Sequence, residues 1–353
     1  MKLKFSKHLR SVEINLCLFL ARIFNKSLLR AINSQLDRKI AIVSIYNRLT
    51  NGNEDRVQVY FKLLSEADVG EKFIDISVRR NVPSFFYLFR LMYLYSKFDL
   101  RVVLIDYSYS TRFPNLELVR ILNNRIKFSC IWVETFEEKT IRERIMPTLE
   151  VIETHFIADD PSLRIANYEI VRNYQTSFVF FPFPVFPKRK FHEYDEDEKL
   201  NEICFFGVID SSIGHSGRRN YLDELENHGQ KITGYVSSPN LKQLRPSYDE
   251  MLSDMRKSRI GLNFSNHGGI GAVTNRVIET IASGAVLFST NEEVLKRLLT
   301  PGQDYIVFED PKSLLNAIDS LKNDTLALKQ MSQSAIHKIR DHYSAESFVA
   351  NLR

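Results

Sequence analysis

The chain reads as an α/β protein of two doubly wound, Rossmann-like domains facing across a cleft, and three observations carry that reading. Apolar strands alternate with helical stretches along most of the sequence, the alternation that implies parallel sheets. A proline-rich break at 178–200 divides that alternation in two. At 353 residues, 44% apolar and 26% charged, the chain has a globular composition and the length for two domains with their own cores.

The first domain, 39–177, opens with an apolar strand at 39–46, the turn Asn51-Gly52-Asn53 and a helix at 54–65. A strand at 73–78 and a strongly aromatic, buried helix at 85–96 follow. Further strands are expected at 101–106, 126–134 and 154–158. The third strand ends in Asp106, and the fourth ends in Trp-Val-Glu-Thr with Glu134. Open parallel sheets bind ligands at the carboxyl ends of their strands, so Asn51, Gly52, Asp106 and Glu134 are candidates on the acceptor side. Glu134 and Asp106 also have the chemistry of a general base.

Residues 178–200 form a linker or hinge. Pro182, Pro184 and Pro187 prevent both helix and central strand from passing through it. The basic triplet 188–190 and the acidic run 193–198 read as solvated charge. Asp195-Glu196-Asp197 has the spacing of a metal-binding Asp-x-Asp but no apolar strand before it.

The second domain, 201–343, starts with a strand at 202–208. Then come a loop with Gly214 and His215, a helix opened by Arg218 and Arg219, a strand at 231–236 and a helix at 248–257. A strand at 260–264 leads into a glycine loop and a helix from 273 to Gly284. A strand at 285–289, a helix at 292–299, a strand at 305–308 and helices at 311–322 and 325–343 complete it. Residues 344–353 read as a tail.

The chemistry concentrates at 259–290. Gly207 and Asn263 end strands, and Gly268, Gly269 and Gly271 sit between a strand and a helix, where backbone N–H groups approach a phosphate and the helix terminus adds positive charge. Thr274 and Asn275 stand at that terminus. Arg276 and Glu279 share a helix face, with Val277, Ile278 and Ile281 on the other side; alone they would be an ordinary surface ion pair, and the three-glycine loop before them makes them a ligand-binding pair. An ionised carboxylate accepts two hydrogen bonds at once, which suits ribose hydroxyls. In the facing loop, Arg218 and Arg219 oppose the helix dipole unless an anion sits between them. His215 and His267 are placed to donate a hydrogen bond to a leaving phosphate.

Charge and cysteine narrow the alternatives. Residues 1–38 carry eight Lys and Arg against Glu13 and Asp37, a surplus of six, whereas the whole chain is +5 and the remainder is therefore near −1. The basic surplus belongs to this arm, which argues against a nucleic-acid-binding core. Its apolar run is too short for a membrane span and lacks a cleavage site. Two readings of the basic amphipathic arm stay open: attachment to an anionic membrane surface, or packing on the first domain with a solvated basic edge. Cys17, Cys130 and Cys204 are dispersed, without zinc or disulfide spacing. A reducing, cytoplasmic setting follows, peripheral at the inner membrane face if the arm binds lipid.

These residues resemble the GT-B glycosyltransferases, and within them the group-1 type with a spore-maturation-protein-like second domain. The resemblance is carried by Phe205-Phe206-Gly207 with Arg218 or Arg219, by Tyr248-Asp249-Glu250-Met251-Leu252 leading into 258–263, and by Asn275-Arg276-Val277-Ile278-Glu279 with Ala282-Ser283-Gly284-Ala285. It implies a nucleotide-sugar donor held by the second domain, ribose contact at Glu279, diphosphate neutralisation by Arg218 and Arg276, and no cofactor or metal. Many retaining members place a second glutamate eight residues before the ribose one, where this chain has Gly271. A fainter resemblance links 262–276 to the inverting α-1,3-fucosyltransferases. The resulting expectation is a metal-independent, retaining transferase acting on a glycan or lipid-linked glycan of a surface polysaccharide. An inverting fucosyltransferase-like enzyme, a sugar-nucleotide epimerase and a non-catalytic scaffold are the alternatives.

Overall fold

Strand β1 (Ile40–Asn47) runs down the interior of the first sheet, and helix α1 (Arg56–Ser65) follows it. A computed structural model describes residues 40–47, 56–67, 69, 72–78, 99–106, 127–132, 138, 141–150, 152–163, 169–171, 174, 176–208, 217–234, 236–237, 246–264, 273–290 and 293–352. Beyond α1 come β2 (Lys72–Val78), β3 (Asp99–Asp106), β4 (Lys127–Trp132), β5 (Thr154–Ile157) and β6 (Ser177–Phe180). All pair in parallel in the order β2-β1-β3-β4-β5-β6. The expected helix at 85–96 lies outside the described residues.

Strand β6 was not anticipated, because only four residues precede the prolines. Pro182 has no N–H to donate, and an edge strand that stops just before it satisfies that restriction. The segment beyond is not an open hinge. Phe181, Phe183, Val185 and Phe186 are buried, and the rings of Phe181 and Phe183 lie 5.1 and 5.6 Å from that of Phe348. The acidic run is also docked rather than simply solvated. Glu198 accepts from Arg256 at 2.7 and 2.6 Å, Glu196 pairs with Arg259, and Asp195 caps its own turn by accepting from the Asp197 N–H at 3.1 Å.

The second domain begins with β7 (Asn201–Cys204), β8 (Gly207–Val208), α2 (Arg218–Asn227), β9 (Ile232–Thr233) and β10 (Val236–Ser237). Next come α3 (Tyr248–Arg256), β11 (Ser258–Asn263), α4 (Asn275–Ala282), β12 (Val286–Thr290), α5 (Leu295–Leu298) and β13 (Tyr305–Phe308). Helices α6 (Pro311–Leu321), α7 (Thr325–Tyr343) and α8 (Ala345–Leu352) close the chain. Its main sheet is parallel in the order β13-β12-β11-β7-β9, with β10 and β8 paired beside it.

Helix α8 replaces the expected tail. Ala345, Phe348, Val349 and Leu352 follow the i, i+3, i+4, i+7 spacing of an apolar helix face, and all four are buried. Phe348 meets Phe156 of β5 with ring centroids 4.6 Å apart, and the Ala345 N–H donates to the Phe186 carbonyl at 2.9 Å. The end of the chain thus packs on the first domain. One apolar cluster runs from α1 and β5 through the 181–186 segment to α4, α5, α7 and α8, so the two domains share a core.

Candidate functional site

The site is built where β11 gives way to α4. Gly261 lets the helix approach the strand, since a Cβ there would meet Thr280 Cγ2 at 2.5 Å. At the strand's end, Asn263 is buried and held on both sides of its amide. Thr274 Oγ1 donates to Asn263 Oδ1 at 2.6 Å, and Asn263 Nδ2 donates to Ser289 Oγ at 2.9 Å. Thr274 is the N-cap of α4, yet with its hydroxyl committed to Asn263 it makes no capping bond to the helix. Helices α3, α6 and α7, by contrast, are capped by Ser247, Asp310 and Asp324. The Val277 N–H donates to the Thr274 carbonyl at 3.1 Å, and the start of α4 keeps the partial charge that attracts an anion.

One turn in, Arg276 and Glu279 form an ion pair that is interior rather than at the surface. Glu279 is 1% exposed, and Val277, Ile278, Thr280, Ile281 and Ala282 are buried beside it. The pair is interior because α4 is enclosed by its own sheet, by α3 and by the shared core. Arg276 Nε donates to the Phe206 carbonyl, and Nη1 donates to Met251 Sδ at 2.9 Å and to Glu279 Oε2. Nη2 makes no bond among the described residues. Glu279 Oε1 is buried with no hydrogen-bond partner. Natural interiors leave few such atoms unmet, and an unmet carboxylate oxygen beside an uncapped helix start is a ready acceptor for ligand hydroxyls.

Tyr248 opens α3 next to this pair. Its hydroxyl is buried, and its pKa is raised well above the usual phenol value by burial, then by the negative charge of Glu279, with a hydrogen bond to that carboxylate adding to it. The phenol is therefore neutral. Tyr60, from α1 of the first domain, also raises it.

The two arginines of α2 separate in space. Arg218 is 9% exposed and directs Nη2 at the Phe264 carbonyl, 3.3 Å away at the end of β11. Arg219 is exposed and paired with Asp223 one turn on, with Nε 3.0 Å from Oδ1. The tension of two cations at a helix start is thus partly relieved by a carbonyl and a carboxylate, and only Arg218 turns toward the site. Gly217, the N-cap of α2, provides no side-chain cap.

From the first domain, the end of β5 reaches the same place. The Val273 N–H donates to the Ala158 carbonyl at 2.8 Å, which is why α4 begins two residues later than the sequence suggests. Arg297 approaches Asp160 at 3.4 Å and donates to Ser162 Oγ at 3.2 Å. Sequence reasoning passed over Asp159 and Asp160. Their signal was the same as that of Asp106 and Glu134, carboxylates following an apolar parallel strand.

A family model described as glycosyl transferase-like matches residues 218–353. Among solved structures, sucrose-phosphate synthase from Thermosynechococcus elongatus is similar over 89% of this chain and 97% of its own, at 9% identity and a TM-score of 0.51. HepE from Anabaena, in complex with UDP and glucose, is similar over 88% of this chain and 98% of its own, at 8% identity and a TM-score of 0.54. The N-terminal domain of trehalose-6-phosphate phosphatase from Candida albicans is similar over 88% and 96%, at 10% identity and a TM-score of 0.53. The fold is GT-B, and the second domain is a glycosyltransferase domain. No curated protein matches the chain by sequence.

Within that glycosyltransferase domain, α4 and its neighbours bring together Asn263, Thr274, Asn275, Arg276 and Glu279, with Arg218 nearby. Gly207 is explained by packing, because a Cβ there would run into the ring of Phe205. His215, His267, Gly268, Gly269 and Gly271 lie outside the described residues, as do Asn51, Gly52 and Glu134 in the first domain. Asp106 is the last residue of β3. Cys130 and Cys204 are buried, and neither is in a disulfide. Among the described residues, no three His, Cys, Asp or Glu side chains gather into a metal site, and no helix is long and apolar enough to cross a membrane.

Proposed function

We propose that the protein transfers a sugar from a nucleoside diphosphate sugar to a glycan or lipid-linked glycan of the surface-polysaccharide kind, with retention of configuration and without a metal. We further propose that it is a group-1 enzyme with a spore-maturation-protein-like second domain, peripheral at the cytoplasmic membrane face through residues 1–38. The observation that carries the donor reading is the start of α4. An uncapped helix terminus lies one turn from a buried Arg276–Glu279 pair in which Glu279 Oε1 has no partner. An anion satisfies the terminus, and a hydroxyl satisfies the carboxylate. A nucleoside diphosphate carries both groups on one ligand. The Anabaena neighbour, solved with UDP and glucose, supports that choice.

Charge developing on the departing diphosphate meets the α4 N–H groups, Nη2 of Arg276 and the Arg218 guanidinium. On the retaining route the departing phosphate takes the acceptor proton, and the chain's own task is to stabilise that phosphate and exclude water. Arg276 is suited to it because Phe206, Met251 and Glu279 fix the guanidinium before any ligand arrives.

Thermal-shift screening against a panel of nucleotide sugars identifies the donor, because binding to the folded state raises apparent stability. Incubation with that donor and candidate acceptors then reads transfer, and the anomeric configuration of the product by NMR reads retention. Nucleotide binding without hydrolysis or transfer would mean a scaffold, and an altered nucleotide sugar in the absence of acceptor would mean an epimerase. Flotation with anionic liposomes, comparing the full chain with one lacking residues 1–38, tests the membrane contact.

A further inference from the structure

The start of α4 is tied on two sides. Within its own domain Thr274 Oγ1 donates to Asn263 Oδ1 at 2.6 Å, and across the domain boundary the Val273 N–H donates to the Ala158 carbonyl at 2.8 Å. Ala158 and Val273 are both buried in the apolar cluster that the two domains share. Beside that bond the boundary is crossed a second time. Arg297 of α5 brings Nε within 3.4 Å of Asp160 Oδ2 and donates from Nη2 to Ser162 Oγ at 3.2 Å. Asp160 is fixed from its other side, since Oδ1 accepts from the Ser162 N–H and from Ser162 Oγ, both at 2.8 Å. The guanidinium therefore grips a turn that is already held, and that turn begins two residues after the carbonyl that binds Val273.

We propose that Arg297 is a positioning residue for the donor site: by holding Asp160 and Ser162 across the domain boundary, it keeps Val273 on Ala158 and the start of α4 where an anion meets it. Its effect passes through the end of β5 to α4 and needs no contact with the ligand. The proposal rests on the donor reading above, which places a nucleoside diphosphate at α4, and it gives the first domain a part in that site. Arg297 is 55% exposed, and an exposed ion pair adds little to global stability. Local opening is a smaller event than unfolding, and its equilibrium depends on the few contacts made at that place.

Hydrogen exchange of the full chain without ligand, followed by calorimetric titration with UDP, GDP, ADP and CDP, tests this. In Arg297→Ala the segments 156–163 and 273–282 are expected to exchange about two- to fivefold faster, the worth of an exposed ion pair, while 311–321 is unchanged. Affinity for the tightest-binding nucleotide should fall by a similar factor, with the urea midpoint unchanged. Asp160→Asn keeps an acceptor for Ser162 and removes the charge that faces Arg297. It should reproduce both effects, and the double variant should be no worse than either single one. A merely structural role predicts faster exchange throughout and a lowered urea midpoint. That result, unchanged exchange at 273–282, unchanged affinity, or additive losses in the double variant overturns the proposal and leaves the donor reading standing. If the wild-type protein binds none of the four nucleotides, the donor reading fails and the positioning role falls with it.

Discussion

Arg276 and Glu279 stand one helical turn apart on α4, and the ion pair they form is almost wholly inside the protein, with side-chain exposures of 16% and 1%. A surface pair in that spacing contributes little, and removing one partner leaves the fold unchanged. A buried pair behaves differently, because the survivor is an unpaired charge. Arg276→Ala is therefore expected to cost about 3–5 kcal/mol of stability as well as activity. Arg276→Met combined with Glu279→Leu should recover most of the stability and none of the transfer. Urea unfolding beside a transfer assay checks both, and a fully stable Arg276→Ala would refute the buried-pair account.

Arg218 and Arg219 are adjacent in sequence and separate in function. Arg218 is buried against the Phe264 carbonyl, while Arg219 is exposed and paired with Asp223. Arg218→Ala should weaken nucleoside diphosphate binding by about 10- to 100-fold, the range for a lost charge-assisted hydrogen bond. Arg219→Ala should change it by less than about threefold. Equal effects in titration calorimetry would contradict the assignment.

Gly261 sets the distance between β11 and the helix that carries Glu279. A methyl group there meets Thr280 Cγ2 at 2.5 Å and Oγ1 at 2.9 Å. Gly261→Ala is expected to cost about 1–3 kcal/mol through overpacking and to weaken nucleotide binding by displacing α4. Adding Thr280→Ala should restore both, and failure of that rescue would place the strain elsewhere.

Phe348 reaches across from the last helix to Phe156 of the first domain and to Phe181 and Phe183 of the linker. Phe348→Ala should cost about 3–5 kcal/mol, the range for a fully buried aromatic, measured by chemical denaturation. Removal of residues 345–353 should destabilise the first domain even though the deleted segment follows the second.

His155 gives the molecule an acid-sensitive point away from the nucleotide. Its Nδ1 accepts from Trp132 Nε1 at 2.7 Å, its ring lies 5.2 Å from that of Phe178, and burial lowers its pKa from 6.5 to about 3. The unfolded chain binds a proton below about pH 6.5, and the folded protein does not until about pH 3. The stability this residue contributes is therefore present above the unfolded value and lost as the pH falls through that window. Relative to His155→Phe, the wild-type protein should lose about 1.4 kcal/mol per pH unit between pH 6 and 4. Parallel slopes would show that His155 is protonated in the fold.

The amino-acid sequence by itself carried the alternation of strands and helices, the break near 178–200, the paired arginine and carboxylate of 276 and 279, and the diphosphate chemistry they suggest. Those features depend on residue type and local spacing, and periodicity reports both. Helix 325–343 was legible to the residue because its apolar spacing and its boundaries are local. Tertiary structure decided the rest. It buried the Arg276–Glu279 pair by enclosing α4, gave Arg218 and Arg219 different surroundings, made the linker and the last helix part of a shared core, and brought Ala158 of the first domain to the start of α4. Burial and partnership across distant segments set the energy of a charge or a hydroxyl, and no local pattern encodes them. The buried carboxylate of Glu279 is of that second kind. It is ordinary in its own helix, and only the packing of α3 and the shared core around α4 takes it out of water.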